Sequence, residues 1–74
     1  MNKRDMAEYR RALGERDTAE REYAHFVERR QEIAGRDVRN EDMRQRFLLR
    51  LDRDIEDARQ RLVAADLAVE GYEK

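Results

Sequence analysis

The sequence contains no cysteine and no proline, and it has only three glycines in 74 residues. Without cysteine there is no disulfide, no thiolate nucleophile and no thiolate metal site. The glycines, Gly14, Gly35 and Gly71, are isolated, so no glycine-rich loop is present to cradle a phosphate. Thr18 is the only Ser/Thr hydroxyl, and it lies within a helical pattern with no base oriented for it. The longest apolar run, residues 62–65, ends at Asp66 and is far too short to span a bilayer. The opening Met1-Asn2-Lys3-Arg4-Asp5 lacks the apolar stretch of a secretory signal, so a cytoplasmic location away from membranes is expected.

What the chain has in abundance is charge. Asp, Glu, Lys and Arg make up 47% of it and hydrophobic residues 39%, yet the net charge is only -1. No global field therefore draws it onto nucleic acid or an anionic surface. The basic residues are fifteen Arg and two Lys, a bias that fits GC-rich coding in a bacterium or its phage. Arg also suits long helices, having good propensity and a long packing stem.

Periodicity sets the fold class. Leu48, Leu51, Ile55, Ala58, Leu62, Ala65, Val69 and Tyr72 are spaced alternately by three and four. That is the seam of a coiled-coil-like helix, predicted over about residues 41–72. A first helix is predicted over about 4–34 and is less regular. Met6, Tyr9, Leu13, Tyr23, Val27 and Ala34 form one stripe, interrupted by Arg16, Glu20 and Arg30; Ala12, Ala19, Phe26 and Ile33 form a second beside it.

The six residues between the helices, Gly35-Arg36-Asp37-Val38-Arg39-Asn40, read as a turn. Gly35 suits a left-handed residue just past the first helix, and Asp37 or Asn40 can cap the second. A connection this short makes the helices antiparallel. The expectation is an all-α, antiparallel two-helix hairpin forming a single domain over residues 1–74. A turn centred near residue 37 or 38 makes opposed residue numbers sum to about 75. Leu13 would then face Leu62, Met6 would face Val69, Val27 would face Leu48, and Tyr23 would lie over Leu51 and Asp52.

Two thin helices offer no deep pocket, and this much apolar surface exceeds what one neighbour can cover. Ala12, Ala19, Phe26 and Ile33, with Phe47, Leu49, Val63 and Leu67, are therefore expected to meet a second copy in a four-helix bundle, or another protein's helix. Charge is polarised lengthwise. Residues 29–50 carry seven Arg against four acids, whereas residues 51–74 carry four basic and seven acidic side chains. Arg36, Arg39, Arg44 and Arg46 could thus contact phosphates, although a solvated face laced with pairs such as Asp42 with Arg46 and Asp57 with Arg61 is the favoured reading. Glu22 and His25, three apart, have the spacing of a metal-binding pair in helical bundles, but Tyr23 and Phe26 compete for the inward positions. No cofactor or catalytic residue is expected.

No family motif is present; the Trp-x-Gly turn of secreted helical hairpins, for example, is replaced by Gly35-Arg36-Asp37. The sequence thus points to a small non-enzymatic adaptor or inhibitor working as a homodimer. A regulator that touches nucleic acid through its arginine-rich turn is the alternative.

Overall fold

A computed structural model describes residues 3–36 and 40–74. It contains two helices, α1 (Lys3–Gly35) and α2 (Glu41–Glu73), packed against each other as a hairpin measuring 59 × 15 × 14 Å. No described helix is long and apolar enough to cross a membrane.

The start of α2 follows from its sequence. Asn40 is the N-cap, with extended backbone angles, and its Oδ1 accepts a hydrogen bond from the Met43 amide at 3.1 Å. Glu41 and Asp42 then sit in the first turn, where the helix dipole favours acids. Asp37, the other possible cap, lies outside the described residues. The end of α1 differs from expectation. Gly35 is still helical and no described residue has positive φ, so Gly35 is not a left-handed cap. The helix tightens instead, the Arg36 amide bonding back to the Ile33 carbonyl at 3.3 Å.

The seam of α2 runs through Leu48, Leu51, Ile55, Ala58, Leu62, Ala65, Val69 and Tyr72, all buried or half-buried. The seam of α1 is not the expected stripe. Its covered positions are Tyr9, Ala12, Arg16, Ala19, Tyr23, Phe26, Arg30 and Ile33, an unbroken alternation of four and three. Ala12 and Ala19, expected on an outer face, are the two buried residues of α1. Met6, expected inside, is 45% exposed, and Leu13, Val27 and Ala34 are half-buried beside the seam.

Cross-helix contacts fix the register. Tyr9 meets Tyr72 edge to face at 5.9 Å, and Arg16 and Arg30 reach Asp66 and Asp52 at 3.9 and 2.5 Å. Residues opposed across the seam sum to about 81, not 75. Side chains lean toward the N-terminus of their own helix, so antiparallel partners meet at positions displaced C-terminally on both strands, which gives the offset its direction. In this register large faces small. Ala12 is level with Val69, Ala19 with Leu62, Arg16 with Ala65 and Tyr23 with Ala58. Ala58 and Val69 are 1% and 0% exposed.

Arg16 and Arg30 fill seam positions with their stems and send their heads to acids at the edge. At the far end a clasp closes the hairpin. The Tyr9 hydroxyl donates to Glu73 at 2.8 Å and the Tyr72 hydroxyl to Glu8 at 3.4 Å. The hydrogen bond to Glu73 raises the Tyr9 pKa above its ordinary 10.0, and desolvation followed by the Glu8 charge raises that of Tyr72.

Two outcomes are expected. Ala58→Leu overfills a closed position and should cost about 1–3 kcal/mol in denaturant unfolding. Ala24→Leu, at an exposed position, should change stability by no more than about 0.5 kcal/mol; equal effects would mean the seam is misassigned. Because the folded state holds the protons of Tyr9 and Tyr72 more tightly than the unfolded state, the clasp's contribution should be intact below pH 10 and fall as pH rises through the folded values. Ultraviolet titration should place these two tyrosines above their midpoints in denaturant.

Candidate functional site

The two helices leave two flanks. On one, Arg30 meets Asp52, Arg16 meets Asp66 and Tyr9 meets Glu73. On the other, Arg61 of α2 reaches across to Glu22 of α1 at 3.6 Å rather than back to Asp57. Recesses lined by both helices open on this second flank. Its terminus half is a shallow groove floored by small residues, Gly14, Thr18, Ala19, Ala64, Ala65 and Ala68. The Thr18 hydroxyl turns inward to its own helix, donating to the Gly14 carbonyl at 3.0 Å, so it adds no polar group to the groove. A methyl group added at Gly14 would meet nothing within 4 Å.

Toward the turn the same flank changes character. Phe26, Ile33, Met43 and Phe47 line it together with Arg29, Arg36 and Arg50. Met43 and Phe47 are 54% and 51% exposed. Periodicity puts both one step off the α2 seam, on the side away from Asp52 and Asp66. The other exposed apolar residues do not join this flank. Leu49 and Val63, two heptads apart, share a position on the side of α2 away from it, and Val63 and Leu67 line a shallow recess on the back with Arg59 and Gln60. The expected partner surface is therefore split. Phe26, Ile33 and Phe47 share one flank, Leu49, Val63 and Leu67 lie elsewhere, and Ala12 and Ala19 are consumed by the seam.

The arginines at the turn also separate. Arg44 is part-buried and folds inward; one guanidinium nitrogen donates to the Ala34 carbonyl at 2.7 Å and the other faces Glu41 at 3.3 Å. It satisfies an otherwise orphaned carbonyl at the negative end of α1, a task expected of Gly35. Its Nε is buried with no partner. Arg44 is thus committed to the turn and not offered to a phosphate. Arg36 and Arg46 are exposed, and Arg39 lies outside the described residues.

The remaining candidate pair does not converge. Glu22 is engaged with Arg61, and exposed His25 packs against the Phe26 ring at 5.8 Å. No group of three potential ligands occurs among the described residues. The other surface pairs lie within single helices: Arg4 with Glu8, Arg21 with Asp17, and Arg59 with Glu56. The Arg59 hydrogen bond holds the Glu56 carboxyl below its ordinary pKa, and Glu56 in turn raises that of Arg59. Such exposed pairs contribute little to stability.

Arg44→Gln should lower stability by about 1 kcal/mol, because the Ala34 carbonyl loses a charge-assisted donor. Arg46→Gln should fall within about 0.5 kcal/mol of wild type. Chemical denaturation of both variants checks this, and an Arg44 variant as stable as wild type would deny it the capping role.

No family model matches this chain, and neither does any curated protein or solved structure.

Proposed function

We propose that this chain is a non-enzymatic protein–protein interaction module, an adaptor or inhibitor, that operates as a homodimer of hairpins. The observation that carries this reading is the large apolar surface left uncovered by the fold. Met43, Phe47, Leu49, Val63 and Leu67 are each about half exposed or more. Exposed apolar clusters of this kind on a small helical protein mark contact sites. The surface is distributed over a flank and the back of α2, so one face can meet a second copy while another stays open to a different protein. The grooves are shallow and lined by small or apolar side chains beside solvated charges, a setting suited to a docking helix more than to bond-making chemistry.

Charge supports the ranking of partners. The turn end keeps Arg36 and Arg46 exposed, but Arg44 is diverted into the turn. One of the four arginines that could meet a phosphate is thereby withdrawn.

Sedimentation equilibrium at micromolar concentration should return twice the 9.0 kDa chain mass. Binding to duplex DNA or structured RNA should be no tighter than about 10⁻⁵ M at physiological salt, within the non-specific range. A strictly monomeric protein would remove the homodimer reading. Tight nucleic-acid binding lost in the Arg36→Gln/Arg46→Gln variant would replace it with phosphate recognition at the turn.

A further inference from the structure

We propose that two hairpins pair antiparallel about a two-fold axis through the grooved flank, the turn half of each seated in the terminus half of the other. This rests on the homodimer reading and adds its face and orientation.

Shape is the first argument. Along one flank, bulky side chains project at one end and small residues floor a groove at the other. Phe47 and Met43 stand half exposed near the turn. About 30 Å away, on a helix rising ~1.5 Å per residue, Gly14, Ala64 and Ala68 leave space that no described residue fills. A two-fold interface uses each surface twice, so bulk on one copy must find a recess on the other. An antiparallel pair satisfies this at both ends. A parallel pair sets Phe47 against Phe47 and leaves groove facing groove.

Charge is the second argument and is independent of shape. Arg29, Arg36 and Arg50, with Asp54 as the one acid, line the turn half of the flank, while Glu15 and Glu22 border the groove with Arg11 and Arg61. Arg61 is already held by Glu22. Arg29, Arg36, Arg50 and Glu15 form no ion pair with a described residue of their own chain. Antiparallel pairing sets the three turn arginines against a border that is neutral overall and holds the unpaired Glu15. Parallel pairing stacks them on their own copies, which like-charge repulsion opposes.

Area is adequate. The overlap about an axis near His25, ~40 Å of a hairpin 15 Å wide, gives about 600 Å² per partner, at the low end for a specific interface. In the observed register Phe47 is level with Ala34 and the groove centre with Arg16, which places the axis midway, near His25. The back of α2, with Val63 and Leu67, stays outside this interface.

The absence of cysteine makes a single spin label straightforward. On a labelled Asp42→Cys chain, beside the turn and off the flank, the pairing predicts an interchain distance of roughly 40 Å, from 1.5 Å per residue and an axis near residue 25. Phe47→Glu should weaken the dimer at least tenfold by sedimentation, and Leu67→Glu should leave it unchanged. A dimer with labels closer than about 25 Å, two to three helix spacings, would overturn the orientation while sparing the homodimer reading. Dissociation by Leu67→Glu but not Phe47→Glu would overturn the face. A wild-type monomer would overturn both. Because Phe47 is half exposed within the chain, a helical circular dichroism spectrum should survive its substitution, which separates lost pairing from lost folding.

Discussion

Alanine at the seam sets how closely the two helices approach, and the rest of the hairpin follows from that approach. Ala12 and Ala19 on α1, with Ala58 on α2, are buried where a larger side chain would hold the backbones apart. Opposite them stand Val69, Leu62 and Tyr23. This alternation interdigitates two helices without a third layer and fixes a single register. It also leaves little apolar area enclosed; among the described residues only five side chains are buried. A two-helix unit cannot cover more, so long amphipathic stems such as those of Arg16 and Arg30 do part of the packing.

The same economy explains what could be read from the residues in advance. The α2 seam was legible because Leu, Ile, Val and Ala fill every third and fourth position. The α1 seam was not, because two of its positions hold Arg and two hold Ala, which read as interruption and as weak signal. Admitting Arg16 and Arg30 as packing residues restores an unbroken alternation from Tyr9 to Ile33. The turn was legible through Asn40 and the acids that follow it. The role of Arg44 was hidden, since an arginine one turn into α2 looks like any other surface charge until the chain folds back and brings the Ala34 carbonyl beneath it. The candidate contact surface was legible as a surplus of apolar residues but not as a shape. Its division into a groove, a projecting end and a separate back depends on the register, which a turn midpoint alone misplaces.

The functional consequence is a division of labour among faces. The seam is spent on the hairpin, one flank on the Arg16 and Arg30 ion pairs, and the other flank, bridged by Arg61 and Glu22, on a surface with bulk and recess at opposite ends. Net charge near zero coexists with a basic turn end and an acidic terminus end, a polarity that favours antiparallel contact between copies over attraction to a polyanion.

The central claim is that the folded hairpin owes part of its stability to a second copy that covers what it cannot cover itself. Thermal unfolding over a hundredfold range of protein concentration tests this most directly. Association coupled to folding makes the midpoint rise steadily with concentration. A midpoint independent of concentration, with a solution radius of gyration near the 17.0 Å of the single hairpin, would contradict the account.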